Sequence, residues 1–142
     1  MLTPNMTKAF KYQLILILTL ISCQSKNLKQ MELTNEKIIK YSFLKEMYED
    51  QYFPNNLVDK GKMILIDLCN KIETEKPKTL EELYTLTHKA TDKFNDLQEE
   101  FYENDSEIET AARECIAMDF EFISKSYGFE ADTEELIATR DW

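Results

Sequence analysis

Residues 79–103 read TLEELYTLTHKATDKFNDLQEEFYE, and this stretch decides the fold class. Its inward positions recur every three or four residues, which is the spacing of one face of an α-helix. They are Leu83, Thr87, Ala90, Phe94, Leu97 and Phe101. Thr79 and Glu82 match a capping box, in which each side chain accepts a hydrogen bond from the other's backbone N–H. The stretch therefore predicts a long amphipathic helix.

Two further helices are predicted before this stretch. Residues at helical spacing cover 34–50, where Thr34 is a suitable N-cap, and 56–74. Pro77 ends the second segment because proline cannot continue a helix. Gly61 lies inside it. Since glycine weakens a helix by about 1 kcal/mol relative to alanine, it indicates a close helix crossing or a bend.

Two more helices are predicted after the stretch. Ser106 and Glu109 match a second capping box, and the helix that it opens ends before Gly128, a residue type favoured at helix C-termini. A third box begins at Asp132 and opens a short helix through about Thr139. We therefore expect an all-α fold, a compact bundle of four main helices plus a short C-terminal helix.

The body of the chain is strongly acidic. The chain has 27 Asp and Glu against 17 Lys and Arg, and residues 1–30 hold four lysines and no acid, so residues 31–142 carry a net charge of −14. A nucleic-acid binder needs a basic face, so no nucleic-acid partner is expected. The two glycines exclude a glycine-rich phosphate loop, and the single histidine excludes the paired Glu-x-x-His motifs of a di-iron bundle. No cofactor or metal is expected.

The amino terminus resembles a membrane-targeting signal. Lys8 and Lys11 precede an apolar run of eight residues at 14–21, whereas a helix that spans a bilayer needs about 20. The run leads into Leu20-Ile21-Ser22-Cys23, which resembles the lipobox of bacterial lipoproteins. The resemblance implies that the leader is cut before Cys23 and that the Cys23 thiol is acylated. Two or three acyl chains would anchor the protein stably in a lipid membrane.

This interpretation divides the chain into three parts. Residues 1–22 are the expected lipoprotein signal peptide, residues 23–33 the lipidated cysteine and a tether, and residues 34–142 the acidic helical domain. The expected location is the bacterial cell envelope, at the outer membrane or a periplasm-facing membrane in a Gram-negative cell. The alternatives are a plain secretory leader and a chance apolar start on a cytosolic protein.

Three residues could carry chemistry, but each has a structural alternative. His88 lies one helical turn before Asp92, an arrangement that could orient the imidazole for general-base catalysis. A structural histidine bonded to a neighbour is the favoured interpretation. Cys69 and Cys115 fall on apolar helix stripes, which favours buried free thiols over a disulfide or a catalytic thiol. No catalytic residue is assigned.

The candidate binding residues are mainly acidic and aromatic. Carboxylates cluster near the end of the long helix and form either a solvated face that caps the next helix or a docking surface for a basic partner. Arg113 is expected to be the hub of ion pairs, with capture of an anion as the alternative. Trp142 is expected to pack against the bundle rather than face a partner. The candidates are Tyr84, His88, Glu99, Glu100, Glu103, Arg113 and Trp142.

A family resemblance is carried by several segments of the body. They are YEDQYFP at 48–54, ELY at 82–84 with TH at 87–88, LQEEF at 97–101, SEIET at 106–110, YGF at 127–129 and ELIATRDW at 135–142. On these segments, from about Ile38 to Trp142, the chain resembles an uncharacterised bacterial family, a domain of unknown function. The resemblance implies no catalytic residues. It also implies a cytosolic setting, from which the lipobox departs.

The function that the sequence favours is protein binding. A lipid-anchored module with an acidic face would engage a basic protein, and an inhibitor or immunity-like role against a basic enzyme is one concrete form. One alternative is a small enzyme that uses His88 with a carboxylate or tyrosine brought near by folding. The other is a structural envelope component, which would have an evenly charged surface without an aromatic patch.

Overall fold

The structure is a computed structural model, and it describes residues 29–142. Leu33 to Trp142 form one compact unit, and Leu33 itself, expected in the tether, is buried in its core. Six helices lie wholly within this unit, and no strand occurs in the described part of the chain. They are α1 (Glu36–Ile39), α2 (Lys45–Glu49), α3 (Asn55–Glu75), α4 (Leu80–Glu103), α5 (Thr110–Ser126) and α6 (Thr133–Leu136). The all-α prediction is confirmed, with three long helices and three short ones.

The long helices α3 and α4 form the principal helix pair, joined by a loop at 76–79. Gly61 of α3 lies where this pair meets the preceding segment. A Cβ atom at this position would come within 2.9 Å of Leu44 Cδ1 and 3.1 Å of Phe94 Cε1. A side chain would therefore displace two fully buried neighbours, and the close crossing expected from the sequence is confirmed.

The single helix predicted over residues 34–50 is wrong. The segment forms α1 and α2, and Asn35, not Thr34, caps α1 by accepting from the backbone N–H of Lys37 at 3.0 Å. Between the two helices Leu44 adopts a left-handed conformation with φ of 54°. This corner buries the adjacent residues Phe43 and Leu44 together. A straight helix would turn one of them about 100° away from the other.

A buried carboxylate holds the corner in place. Asp119 of α5 accepts a hydrogen bond from the backbone N–H of Leu44 at 2.7 Å and another from the Tyr41 hydroxyl at 2.8 Å. Tyr41 also stacks on Phe122 of the same helix, with ring centroids 3.7 Å apart. A left-handed leucine costs roughly 1–2 kcal/mol of backbone strain. These contacts of the corner with α5 offset that strain.

A second carboxylate joins the start of the domain to α3 and α5. Glu73 accepts hydrogen bonds from the backbone N–H groups of Thr34 at 2.8 Å and Asn35 at 3.0 Å. It also accepts one from the Tyr127 hydroxyl at 2.8 Å. Burial alone would raise the pKa of Glu73, but these donors favour the ionised carboxylate and lower it.

The helix ends match the predictions only in part. At the end of α5, Phe129 N–H bonds to Ser124 C=O at 2.9 Å and Gly128 N–H to Lys125 C=O at 3.1 Å. This is a Schellman motif with Gly128 in the left-handed region at φ 86°, as predicted. The end of α4 has the same two bonds, but the left-handed residue there is Asp105, with φ of 55°.

The second predicted capping box is wrong because Ser106 belongs to the C-terminal cap of α4 and is not the N-cap of α5. Its backbone N–H bonds to Phe101 C=O at 2.9 Å, and α5 begins at Thr110 with Glu109 as N-cap and no side-chain cap. In the first box Thr79 accepts from Glu82 N–H at 3.2 Å, whereas the Glu82 carboxylate bonds to Lys78 N–H.

The final helix is correctly predicted at its start. Asp132 caps α6 by accepting from Glu135 N–H at 3.1 Å. The helix ends at Leu136, earlier than the expected Thr139. None of the helices within residues 29–142 is long and apolar enough to cross a membrane. The expected signal peptide, lipobox and Cys23 lie outside the described residues.

We predict opposite effects for two substitutions at the left-handed helix ends. Asp105→Gly is expected to raise the free energy of unfolding by about 0.5–1 kcal/mol, because glycine adopts this conformation without strain. Gly128→Ala is expected to lower it by about 1 kcal/mol. Since no atom lies within 4 Å of the new Cβ, backbone strain alone causes this loss. Urea denaturation measures both, and a less stable Asp105→Gly variant would contradict the assignment.

We also predict a pH-dependent stability difference at Asp119. Burial raises the pKa of this carboxyl from 3.8 to about 7. Its two hydrogen bonds lower the pKa and so oppose this shift, whereas the charge of the nearby Glu46 adds to it. Because the folded-state pKa lies above the unfolded value, the neutral Asp119 carboxyl makes its full contribution to the free energy of unfolding below pH 4. This contribution is lost at about 1.4 kcal/mol per pH unit as pH rises toward 7.

Asp119→Asn keeps the shape of the neutral side chain and removes this titration. The variant is expected to gain stability relative to the wild type as pH rises from 4 to 7. Urea denaturation of the two proteins at several pH values measures the difference, in which the titrations of other acids cancel. A difference that stays constant across this range would contradict the prediction.

Candidate functional site

The C-terminal segment folds back along α4, and His88 is one of its attachment points. His88 Nε2 lies 2.7 Å from the backbone carbonyl oxygen of Glu135. Since a carbonyl only accepts hydrogen bonds, Nε2 carries the proton and donates it. The Thr139 hydroxyl bonds to the His88 carbonyl at 3.2 Å, and Tyr84 stacks on the imidazole with centroids 6.0 Å apart. This geometry supports the structural interpretation of His88 rather than a general base oriented by Asp92.

Asn95 provides a second attachment point about two turns further along α4. Its Nδ2 donates to the Thr139 carbonyl at 3.0 Å, and its Oδ1 accepts from Asp141 N–H at 3.1 Å. These bonds hold the chain against α4 up to Trp142, which is only 8% exposed. The Trp142 ring packs edge-on against Phe94, with ring centroids 6.3 Å apart. The expectation that Trp142 packs against the bundle is confirmed.

The docked C-terminus forms one wall of a cleft, which we call the C-terminal cleft. It has a volume of about 320 Å³. The other walls come from the second half of α4, the loop before α5 and the first turn of α5. Its lining residues are Gln98, Tyr102, Glu107, Ile108, Glu109, Thr110, Arg113, Asp141 and Trp142. The cleft thus brings together two of the predicted binding residues, Arg113 and Trp142.

The prediction that Arg113 is an ion-pair hub is wrong. Within residues 29–142 its guanidinium forms no ion pair, and its Nε is buried without a hydrogen-bond partner. The first turn of α5 places Arg113 in the cleft wall together with Glu107, Glu109 and Asp141, but none of these carboxylates forms an ion pair with it. Trp142 Nε1 and Gln98 Oε1 are buried and unpartnered in the same described region. A buried polar atom without a partner costs roughly 1–3 kcal/mol.

Two of the carboxylates that line the cleft, Glu107 and Glu109, lie close to each other. The hydrogen bond between the side chains of Glu107 and Glu109 raises the pKa of Glu107, and partial burial and the charge of Glu109 act in the same direction. Tyr52 lies beside this pair. Partial burial and the charges of Glu109 and Glu107 raise the pKa of its hydroxyl. The pair is therefore a concentration of negative charge next to a phenol ring.

Two exposed tyrosines lie near the carboxylate pair. Tyr52 is 43% exposed, and Tyr102, which also lines the cleft, is 56% exposed. We call Tyr52, Tyr102, Glu107 and Glu109 the acidic-aromatic surface. It combines the side chains that attract a basic protein with rings that bury well in an interface.

The other predicted acids divide between structure and surface. Glu100 pairs with Lys60 of α3, so its charge is compensated within the domain. Glu99 and Glu103 are exposed on α4. None of the predicted acids gives α5 a side-chain cap. No group of three or more His, Cys, Asp or Glu side chains that could hold a metal ion occurs in residues 29–142.

The two cysteines of the described region are free thiols in the core. Cys69 and Cys115 are both buried and unbridged, as the sequence favoured. Burial raises the pKa of the Cys115 thiol to about 12 and that of Cys69 further. Neither is an activated nucleophile, because the reactive form of a cysteine is the thiolate.

Gln98 and Asp141 were missed by sequence reasoning. Gln98 lies one residue beyond the buried Leu97, on a helix with many polar residues, and nothing in the sequence distinguishes it. Asp141 reaches the cleft because its backbone N–H bonds to Asn95 on α4, 46 positions earlier in the chain. No local signal could have found either residue.

Comparison with known proteins gives a family but no activity. No curated protein and no solved structure matched the chain. A family model described as a family of unknown function matched residues 37–142, about three quarters of the chain. The matched region begins within α1 and includes every residue of the C-terminal cleft. This chain therefore belongs to DUF5713, a family of unknown function.

Proposed function

We propose that this protein is a protein-binding module, held at the bacterial envelope by an acylated Cys23, and that its acidic-aromatic surface engages a basic partner protein. The observation that carries the proposal is that Glu107 and Glu109 line the C-terminal cleft together with the exposed Tyr102, close to the exposed Tyr52. An inhibitor or immunity-like protein directed against a basic enzyme is one concrete form of this function.

The electrostatic part of the argument starts from the carboxylate pair. The hydrogen bond between Glu107 and Glu109 holds a proton on one of the two carboxyl groups, so ionising both is opposed by their mutual repulsion, which no ion pair within residues 29–142 offsets. A lysine or arginine from a partner would relieve it. The net charge of −14 on residues 31–142 would also speed the encounter with a basic protein.

The aromatic part concerns where binding energy would arise. Tyrosine is enriched among the residues that dominate interface energetics, because its ring buries apolar area and its hydroxyl retains a hydrogen bond. Tyr52 and Tyr102 offer such area near the carboxylate pair. A structural envelope component was expected to have an evenly charged surface without an aromatic patch, so this arrangement favours the binding module.

The first test of this proposal is partner capture with matched charge variants. We expect the full-length protein to retain a basic protein from envelope extracts, and the Glu107→Gln/Glu109→Gln variant to lose it. Glu99→Gln/Glu103→Gln is the control, because it removes the same charge from exposed positions of α4. Tyr102→Ala is expected to weaken capture by about tenfold or more, as for a central interface tyrosine.

Salt gives an independent readout of the same complex. Raising the salt from roughly 0.05 M to 0.5 M shortens the screening length severalfold and is expected to weaken capture by the wild type. Equal losses in the two double-glutamine variants would contradict a local site. Capture that is unchanged by salt would contradict the electrostatic part of the proposal.

The membrane anchor has its own test. Cells that express the wild type are expected to incorporate an alkyne fatty acid into the protein and to retain it in the membrane fraction, because acyl chains on Cys23 partition into the bilayer. Cys23→Ser is expected to lose both the label and the membrane association. Absence of label from the wild type would overturn the anchor and return the protein to the cytosolic setting that the family resemblance implies.

A further inference from the structure

We infer that the C-terminal cleft is the pocket into which the basic partner inserts one arginine or lysine residue, with the peptide groups of that residue bound by Arg113, Trp142 and Gln98. This inference rests on the proposed function and names the chemistry recognised at the same surface. The residue's cationic side chain would meet Glu107 and Glu109, and its backbone would occupy the wall formed by the other three residues.

The first step is the unsatisfied hydrogen-bonding capacity of the cleft wall. Arg113 Nε and Trp142 Nε1 are donors, Gln98 Oε1 is an acceptor, and none has a partner in the described part of the chain. Trp142 is more than nine-tenths buried, so solvent does not compensate its indole N–H. A ligand that supplies an acceptor and a donor would relieve this cost. A peptide group has both, as its C=O and its N–H.

The second step is the charge of the cleft, which selects among acceptors. Glu107, Glu109 and Asp141 line it together with the single cation Arg113. A free anion drawn to Arg113 would be repelled by the three carboxyl groups that line the same cleft when they are ionised. A neutral carbonyl oxygen escapes this repulsion, and a cationic group attached to the same residue is attracted. A basic amino-acid residue within a peptide has this combination.

The third step is the match between the cleft and one side chain. A volume of about 320 Å³ is at the small end of the range for ligand pockets, where a single residue rather than a folded segment fits. Tyr102 borders the same space and offers a ring face to a guanidinium or ammonium group. The cleft is thus suited to one anchoring residue of a larger interface.

The test uses the only tryptophan of the chain as its reporter. The full-length protein, ¹⁵N-labelled and purified in mild detergent, has one indole N–H signal, that of Trp142. We expect Nα-acetyl-L-arginine amide to shift this signal saturably. Nα-acetyl-L-alanine amide, which keeps the peptide groups and lacks the cation, is expected to bind about tenfold more weakly. Sodium acetate at matched ionic strength, which supplies only an anion, is expected to leave the signal unchanged.

Variants assign the effect to the cleft wall. Gln98→Met keeps the side-chain length and removes the acceptor, and Arg113→Gln removes the guanidinium. Both are expected to weaken binding of the arginine probe by about tenfold, while the remaining amide signals report that the fold is intact. Lys89→Gln is the matched control, because it removes one cation from an exposed position of α4 and should leave the affinity unchanged.

Three outcomes would overturn the inference: no saturable shift with the arginine probe, equal affinity for the alanine probe, or tighter binding of acetate. The result is separable from the fate of the proposed function. If Glu107→Gln/Glu109→Gln loses the partner while the arginine probe leaves the indole signal unchanged, the surface binds a protein and the cleft receives no residue. If the arginine probe binds and Glu107→Gln/Glu109→Gln captures the partner as well as the wild type does, the cleft is a peptide site and the proposed partner surface is wrong.

Discussion

The fold depends on the buried carboxylate of Asp119. It accepts hydrogen bonds from Leu44 N–H and the Tyr41 hydroxyl, and thereby fixes the corner between α1 and α2 against α5. The corner in turn places Leu44 against Gly61, the point at which α3 has no side chain. A buried carboxylate is favourable only when donors satisfy it. The same bonds that satisfy Asp119 therefore connect the first segment of the domain to its central helices.

The cleft depends on a second long-range connection, between the C-terminal segment and α4. His88 and Asn95 hold backbone groups of residues 135–141, and Trp142 then closes against Phe94. Without this docking, the polar side-chain atoms of Arg113 and Gln98 would be exposed and would form hydrogen bonds with water. His88, the strongest candidate for catalysis in the sequence, thus helps to hold the C-terminal segment that forms one wall of the cleft.

The distribution of charge connects the fold to the proposed function. Several acids are used inside the domain: Glu73 at the amino-terminal segment, Glu100 with Lys60, and Asp119 at the corner. Glu107 and Glu109 are different, because they contact each other and form no ion pair with a cation of residues 29–142. Folding stability does not explain this arrangement, since ionising both carboxyl groups is opposed by their repulsion and no cation of the described residues pairs with either. The proposed binding to a basic partner would explain it, and the exposed Tyr52 and Tyr102 would supply the apolar area that such an interface needs.

The sequence by itself determined the helical class, the extent of α3 and α4, the glycine at the end of α5 and the burial of both thiols. These features follow from hydrogen bonds within a few residues and from the 3.6-residue period, so local spacing encodes them. The tertiary structure alone decided the corner at Leu44 and the use of Ser106 to close α4. It also decided that Arg113 lies in the cleft wall without an ion pair to the described residues. Each depends on partners that are distant in the chain or on competition between two helix ends for one residue. Local patterns carry no information about which of those contacts forms, because these contacts depend on how the whole core packs.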